Sequence, residues 1–237
     1  VPTLNAMEVK APTIRRRLFE GSTYFDPHPQ GELKVFREHR HDEKFVIGAD
    51  VALGIGQDRS SATVMDSERE VIATFVSDRT DPTRFGELLY YLGRMYNHAL
   101  LVVESNSIGV ATLAKLKQMK YPNLYYQTNL AKLNDEEGER PGFKTTVSTK
   151  PAIISNLKNA IKERDIRLYD AEVIDELKSY IMTESGKMEA MPGSYDDQVM
   201  SLAIALEGYR THQHRLSATR VGFQHVSHAI SDDTAWF

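Results

Sequence analysis

The sequence predicts an α/β fold in which helices flank a central mixed sheet. Three apolar runs of strand length follow one another closely, at residues 45–50, 61–66 and 71–77. Short polar turns separate them, which is the pattern of an antiparallel meander. A segment with helical spacing comes next, and then the continuous apolar run 99–104, typical of a strand buried on both faces of a parallel sheet. We therefore expect antiparallel and parallel strands in one sheet.

The helices are predicted from periodicity and from their end signals. Asp81 and Pro82 open a segment whose apolar residues recur at helical spacing. Other segments share this periodicity: one after residue 107, one at 150–164, one at 171–181 and a strongly apolar one after residue 197. Short apolar stretches predict minor strands at 33–36, 124–126 and 166–169. Residues 182–191, with Gly186 in their middle, predict a β-hairpin.

Composition divides the chain into three parts. Residues 1–44 are polar and interrupted by prolines, so they are predicted to be an arm or linker. Residues 45–210 carry the regular strands and helices and form the predicted domain. Residues 211–237 have no clear periodicity and are expected to be a flexible C-terminal tail.

Composition also excludes several kinds of site. The 237 residues contain no cysteine, which rules out disulfides, zinc–thiolate sites and cysteine nucleophiles. No apolar run approaches the roughly 20 residues that span a bilayer, so no membrane partner is expected. The sequence has no Gly-x-x-x-x-Gly-Lys-Ser/Thr stretch and is therefore not itself a P-loop ATPase. The net charge of −4 is a weak test of DNA binding, because a local basic stripe can bind DNA on an acidic protein.

Carboxylates lie where the predicted elements end or begin. Asp50 ends the first strand and Glu104 the fourth, and Asp196 and Asp197 precede the last helix. The predicted topology lays these two strands side by side, so their final residues meet at one sheet edge. Clustered carboxylates cannot all stay ionised without a cation, and oxygen ligands suit Mg²⁺ or Mn²⁺. We therefore predict a site for two such ions, which would hold the attacking water and the leaving oxygen of a phosphodiester.

Each carboxylate has a structural alternative. Asp50 could cap the turn after its strand, and Asp196 could cap the last helix. Glu104 could form an ion pair with Arg94 or Lys115. The placement of all the carboxylates at the same edge favours a site over separate structural roles.

Four stretches of the sequence resemble motifs of one family. They are Gly-Ala-Asp-Val-Ala-Leu-Gly at 48–54, Val-Val-Glu-Ser-Asn-Ser-Ile-Gly at 102–109, Gly-Phe-Lys-Thr-Thr at 142–146 and Gly-Ser-Tyr-Asp-Asp-Gln-Val-Met-Ser-Leu-Ala at 193–203. In this order they are similar to the C-terminal nuclease domain of the large terminase subunit of tailed bacteriophages, which has an RNase H-like, RuvC-like fold. Tyr195 stands where many relatives have His, and Phe143 where Trp or Tyr is common.

The resemblance implies a metal-dependent endonuclease that cleaves double-stranded DNA concatemers during viral genome packaging. Asp50, Glu104 and Asp197 would be the catalytic residues and metal ligands, and Asp196 would be a further ligand. The predicted hairpin would sit beside this site. Mg²⁺ or Mn²⁺, as two ions, would be the cofactor.

The resemblance also implies DNA contacts and protein partners. Arg59, Lys144, Lys150 and Lys187 are the expected phosphate contacts, although ordinary surface side chains would look the same in the sequence. Residues 1–44 would be the linker from an N-terminal packaging ATPase domain of the same protein. The portal protein and the small terminase subunit would be further partners, in the host-cell cytoplasm.

Other functions stay open at this point. A RuvC-like junction resolvase or an RNase H would use the same fold and the same carboxylates. A sugar-kinase or actin-like phosphotransferase also begins with an Asp- and Gly-containing strand and a hairpin, but it usually needs a duplicated domain. A non-catalytic module that docks onto the portal would keep the fold without binding metal.

Overall fold

A seven-stranded mixed sheet forms the centre of the computed structural model, which describes residues 2–56, 58–128, 139–182 and 188–217. In chain order its strands are β1 (Ile14–Arg17), β2 (Asp26–Pro27), β3 (Leu33–Val35), β4 (Phe45–Asp50), β5 (Ser60–Asp66), β6 (Val71–Ser77) and β7 (Leu100–Val103). Across the sheet the order is β2-β1-β3-β6-β5-β4-β7. Strand β7 is parallel to β4, and the other neighbours are antiparallel. The predicted mixed sheet is confirmed.

Helices and two small sheets complete the described part of the chain. The helices are α1 (Pro2–Asn5), α2 (Pro82–Met95), α3 (Gly109–Gln118), α4 (Thr149–Lys162), α5 (Ala171–Ser179) and α6 (Asp197–Ser217). Strands β8 (Tyr126–Thr128) and β9 (Glu139–Pro141) pair with each other, as do β10 (Tyr180–Met182) and β11 (Met188–Ala190). The second pair confirms the predicted hairpin. None of the described helices is both long enough and apolar enough to cross a membrane.

Two sequence predictions need correction. The strand predicted at 166–169 is wrong, because only Arg167 in this stretch forms a bridge, an isolated one to Glu70, which directly precedes β6. The boundary predicted at residue 210 is too early, since α6 continues to Ser217 through a distortion at His212. The remainder of the predicted tail, 218–237, and Lys187 lie outside the described residues.

The N-terminal segment contributes three strands to the sheet, of which only the third was predicted. Lys34 on β3 is buried, and its ammonium nitrogen lies 3.1 Å from Oδ2 of Asp170, which caps α5. The hydroxyl of Thr74 donates to the same carboxylate oxygen at 2.6 Å. This buried ion pair ties β3 to α5, so residues 14–35 pack as part of the domain body. That residues 1–44 also lead from another domain stays a prediction.

Side-chain alternation along β4 assigns its residues to two hydrophobic cores on opposite faces of the sheet. Phe45 and Ile47 belong to the core that α2 and α3 cover, whereas Val46 belongs to the core that α4, α5 and α6 cover. By the same alternation, Gly48 and Asp50 share the face of Val46. The last residue of β4 therefore lies on the side of the sheet where α6 packs.

Helix α6 packs directly on β4 because β4 has a glycine where the two elements meet. A Cβ atom on Gly48 would lie 2.2 Å from the carbonyl oxygen of Ser201 and 2.3 Å from the backbone nitrogen of Ala205. The hydroxyl of Ser201 also lies 2.8 Å from that of Ser61 and 2.9 Å from that of Thr63, both on β5. These contacts hold the first half of α6 against the end of β4.

We expect Gly48→Ala to lower the free energy of unfolding by about 2 kcal/mol, as overpacked cores do. The added methyl group meets backbone atoms, so no side-chain rotation relieves the contact. Denaturant unfolding measures the loss. Gly193→Ala is the control, because a Cβ there meets nothing within 4 Å and its cost is only the strain of φ +85°. Equal stability of the two variants would contradict the close packing of α6 on β4.

Candidate active site

The predicted carboxylates come together at one edge of the sheet, on the face that α6 covers. Asp50 is the last residue of β4, and Glu104 directly follows β7. The N–H of Glu104 donates to the carbonyl oxygen of Ala49 at 2.9 Å, which continues the parallel pairing of the two strands. Asp196 and Asp197 lie at the N-terminal end of α6, and their charges reach Asp50 together with that of Glu104. The structure thus brings all four residues into one cluster.

Burial, together with the crowding of these carboxylates, raises the pKa of Asp50 well above its usual range. Loss of hydration is the largest cause, and the charge and hydrogen-bonding contact of Glu104 come next. Burial also raises the pKa of Asp197 to about 6, although the guanidinium of Arg59 acts in the opposite direction. The cluster therefore holds more negative charge than its basic neighbours compensate.

Neutral donors orient Glu104. The hydroxyl of Thr145 and the side-chain amide of Asn106 both donate to its Oε1, the amide at 2.8 Å. The same amide lies 2.6 Å from the Thr145 hydroxyl, so each of the three side chains is hydrogen-bonded to the other two. Among the described residues these partners replace the ion pair with Arg94 or Lys115 that the sequence left open.

Glycines allow the backbone to approach Glu104 from two sides. A Cβ atom on Gly109, where α3 begins, would lie 1.8 Å from the carbonyl oxygen of Glu104. Gly142 has φ +80°, and a Cβ there would lie 2.6 Å from a carbonyl oxygen of β7. The next residue, Phe143, bridges to Glu104 in parallel. The segment that runs along the end of β7 thus places Thr145 next to the carboxylate of Glu104. This position explains the motif at 142–146.

The two aspartates each face a basic side chain that was predicted to contact DNA. The ammonium of Lys150 lies 3.3 Å from Oδ2 of Asp196. The Nε atom of Arg59 lies 3.3 Å from Oδ2 of Asp197. Both basic residues therefore belong to the site itself.

A further buried carboxylate, Glu176 on α5, belongs to the same cluster and was missed by sequence reasoning. It accepts hydrogen bonds from the guanidinium of Arg59, from the backbone N–H of Gln198 at 2.9 Å and from the side-chain amide of Gln198 at 2.8 Å. That backbone N–H lies in the first turn of α6, so Glu176 caps this helix where Asp196 was the predicted alternative. The available signal was a glutamate one helical turn from Val173, on the apolar face of α5.

Arg59 is held from a third side by an aromatic ring. Its guanidinium carbon lies 3.8 Å from the centre of the Tyr195 ring, within the range of a cation–π contact. Glu176 and Asp197 hold the same guanidinium through its nitrogens. Arg59 is therefore a fixed charge at the site.

The chemistry of these side chains fits a divalent cation. All the acidic groups offer oxygen, the ligand type that Mg²⁺ and Mn²⁺ prefer. As placed, no three acidic or imidazole groups of the described residues surround a common ion position. Asp50 and Glu104 face each other, while the aspartates of α6 turn towards basic side chains. The donor set and its excess negative charge fit a cation.

Comparison with solved structures finds this fold in nuclease domains of phage terminases. The large terminase nuclease from thermophilic phage G20c with bound magnesium has a TM-score of 0.64 at 24% sequence identity, over 86% of this chain and 94% of that chain. The large terminase nuclease domain of Thermus phage P74-26 has a TM-score of 0.60 at 23% identity, over 88% and 94%. This chain has the terminase nuclease fold.

The terminase nuclease fold confirms the RNase H-like architecture that the sequence motifs predicted. The G20c nuclease with bound zinc has the same fold, with a TM-score of 0.59 at 22% identity over 86% of this chain and 95% of that chain. Neither the protein-family models nor the curated proteins include a match. At these identities the likeness establishes the fold, and the function rests on the site.

Proposed function

We propose that this domain is a metal-dependent endonuclease that cleaves double-stranded DNA concatemers during phage genome packaging. The observation that carries the proposal is the cluster of Asp50, Glu104, Asp196 and Asp197 at one edge of a terminase nuclease fold. Solved nucleases with this fold hold magnesium, cobalt or zinc. Divalent-cation chemistry is therefore compatible with the fold and with the donor set.

Asp50, Glu104 and Asp197 would hold two Mg²⁺ or Mn²⁺ ions, with Asp196 as a further ligand. When bound, such ions supply activation of the attacking water and stabilisation of the leaving oxygen. Burial and the neighbouring carboxylates raise the pKa of Asp50, so binding of a cation would favour loss of a proton from this group. Neighbouring side chains position the other ligands: Asn106 orients Glu104, and Arg59 holds Asp197.

Basic side chains around the carboxylates would contact the phosphate backbone. Lys150 and Arg59 already face acidic oxygens of the site, so they would lie near a bound phosphate. Lys144 is exposed in the segment between β9 and α4. Lys187 keeps its predicted role but lies outside the described residues. Phosphate contacts carry no base information, so we expect little sequence specificity.

A cleavage assay with a panel of substrates tests the proposed function. The protein is incubated in Mn²⁺ with linear duplex DNA, a four-way junction and an RNA–DNA hybrid, and each reaction is repeated in EDTA. We expect cleavage of the duplex that EDTA abolishes. Preference for the junction or the hybrid would indicate a RuvC-like resolvase or an RNase H. Absence of both cleavage and Mn²⁺ binding would favour a non-catalytic module that docks onto the portal.

The partners implied by the sequence motifs form part of the same proposal. A packaging ATPase domain would precede residues 45–210 in the same protein, and residues 1–44 would connect the two. The portal protein and the small terminase subunit would bind the assembled terminase in the host-cell cytoplasm. Strands β1 and β3 pack within the sheet, so only the part of the connection outside residues 14–35 would move relative to this domain.

A further inference from the structure

Gln198, in the first turn of α6, carries a buried acceptor without a partner. The residue is only 1% exposed, and no group of the described residues donates to its side-chain carbonyl oxygen, Oε1. The other end of the amide is fixed, because Nε2 donates to Oε1 of Glu176 at 2.8 Å. That carboxylate oxygen also accepts from Arg59, so exchanging the two ends of the amide would set two acceptors against each other. The free acceptor is therefore the carbonyl oxygen.

Helix α6 runs antiparallel to β4, and this direction brings its first turn to the end of the strand. A Cβ atom on Gly48 would lie 2.2 Å from the carbonyl oxygen of Ser201. Further along the helix, a Cβ atom on Gly208 would lie 3.0 Å from Cγ1 of Val46. The helix thus passes the residues of β4 in reverse chain order, so the residues before Ser201 lie beyond Gly48, towards the carboxylates.

Gln198 lies on the face of α6 that contacts β4. It precedes Ala205 by seven residues, or about two helical turns, so the two side chains share one face of the helix. The backbone nitrogen of Ala205 would lie 2.3 Å from a Cβ atom on Gly48. One turn before Ser201, the same face reaches the end of β4, where Asp50 lies. The buried amide of Gln198 therefore belongs to the carboxylate cluster.

The hydroxyl groups on this side of the sheet are hydrogen-bonded to one another. Those of Ser61 and Thr63 lie 2.8 and 2.9 Å from that of Ser201, which also donates to the backbone carbonyl of Gln198 at 3.1 Å. A buried acceptor that has no protein donor requires water or an ion to satisfy it. Mg²⁺ keeps several of its water molecules when a protein binds it, so a cation held by the carboxylates would bring such donors.

We propose that Gln198 is a further residue of the cation site, and that its carbonyl oxygen accepts a hydrogen bond from a water molecule that hydrates the bound ion. The inference rests on the proposed function. Glu176 holds the amide nitrogen, so the carbonyl oxygen keeps a fixed direction. Gln198 is thus a positioning residue, because it acts on the ion through water.

Calorimetric titration of Mn²⁺ into the protein without DNA tests this proposal. Gln198→Met keeps an unbranched side chain of similar length and removes the amide. We expect its Mn²⁺ affinity to fall about tenfold, as for other groups that support the direct ligands of a metal. Gln198→Glu keeps an oxygen for the water molecule but sets a second carboxylate against Glu176. Its Mn²⁺ affinity should match or exceed that of the wild type, whereas its melting temperature in EDTA should be the lowest of the three proteins.

Ser201→Ala is the matched control, because it removes a buried hydroxyl one turn further along the same helix. It should lower the melting temperature in EDTA and keep the wild-type Mn²⁺ affinity. Thermal unfolding checks each variant, and the comparison of Gln198→Met with Ser201→Ala carries the test alone if Gln198→Glu does not fold.

Each other outcome has a defined meaning. Equal Mn²⁺ affinity of Gln198→Met and the wild type would overturn the inference and leave the proposed function intact, because the carbonyl would then bind a water molecule unrelated to the ion. Weaker Mn²⁺ binding by both Gln198 variants, or by Ser201→Ala as well, would show structural support of α6 and would also overturn it. Absence of Mn²⁺ binding by the wild type would overturn the proposed function itself.

Discussion

Asp50→Asn is expected to abolish DNA cleavage and, at the same time, to stabilise the folded domain. The amide keeps the shape of the carboxylate but cannot offer a charged oxygen to a cation at the centre of the cluster. A metal-held transition state derives several kcal/mol from such ligands. We therefore expect cleavage in Mn²⁺ to fall about a thousandfold, or about 4 kcal/mol in the activation barrier.

The gain in stability follows from the raised pKa of Asp50. Well below about pH 4 the carboxyl is protonated in both the folded and the unfolded state, so it behaves much like an amide. As the pH rises, the unfolded chain releases this proton while the folded state retains it, and the folded state loses stability. Asp50→Asn avoids this loss and should gain about 1 kcal/mol near neutral pH.

Unfolding in EDTA across a pH series measures this difference, together with a plasmid cleavage assay in Mn²⁺. The two proteins should be equally stable at low pH and diverge as the pH increases. Asp175→Asn, which is 72% exposed on α5, is the control and should change neither quantity. Cleavage by Asp50→Asn at the wild-type rate would contradict the site assignment. A variant less stable than the wild type at neutral pH would show that the Asp50 charge stabilises the fold.

Among the proposed substitutions, Glu176→Ala is expected to lower the free energy of unfolding the most. The glutamate is buried, and it accepts hydrogen bonds from Arg59 and from two groups of Gln198. Its removal leaves a buried guanidinium without its main partner and the first turn of α6 without its cap. Losing one partner of a buried ion pair costs about 3–5 kcal/mol, and we expect a value in this range.

Urea unfolding of Glu176→Ala and Glu176→Gln separates the charge from the hydrogen bonds. Glutamine keeps an oxygen that can accept from the N–H of Gln198, so its loss should be clearly smaller. Asp175→Ala removes the neighbouring, exposed carboxylate and should cost no more than about 0.5 kcal/mol. A Glu176→Ala variant as stable as Asp175→Ala would mean that Arg59 and Gln198 find other partners.

The sequence alone predicted the helices and strands whose boundary signals, such as apolar runs, polar turns and helix caps, lie within a few residues of each other. Strands β4 and β6 begin and end as predicted, because their apolar runs are bounded by polar turns. Helix α2 begins after Asp81, whose side chain accepts from the N–H groups of Thr83 and Arg84 at 3.0 Å, as its capping pattern indicates. The meeting of β4 and β7 also followed from their order, since a three-strand meander and then a helix precede β7, which leaves the open edge of β4 for a parallel partner.

Tertiary contacts decided the elements whose stabilising partners are distant in sequence. The three arginines of β1 lie in the segment that the sequence predicts to be an arm or linker, but β1 pairs with β2 and β3, and Arg17 forms an ion pair with Glu32. Conversely, residues 166–169 have strand-forming side chains, yet only Arg167 forms a bridge, an isolated one to Glu70. A strand depends on its neighbour for hydrogen bonds, and the sequence alone does not place that neighbour.

The same distinction applies to the candidate site. The sequence by itself located Asp50, Glu104, Asp196 and Asp197 at the ends of elements that meet at one sheet edge. It could not identify Glu176, whose partner Arg59 is 117 residues away, nor show which oxygen of each carboxylate is already occupied. Charge and chain order determine which acids meet, whereas the donors that orient them come from distant segments. Only the folded packing of α5, α6 and the segment after β9 brings those donors into position.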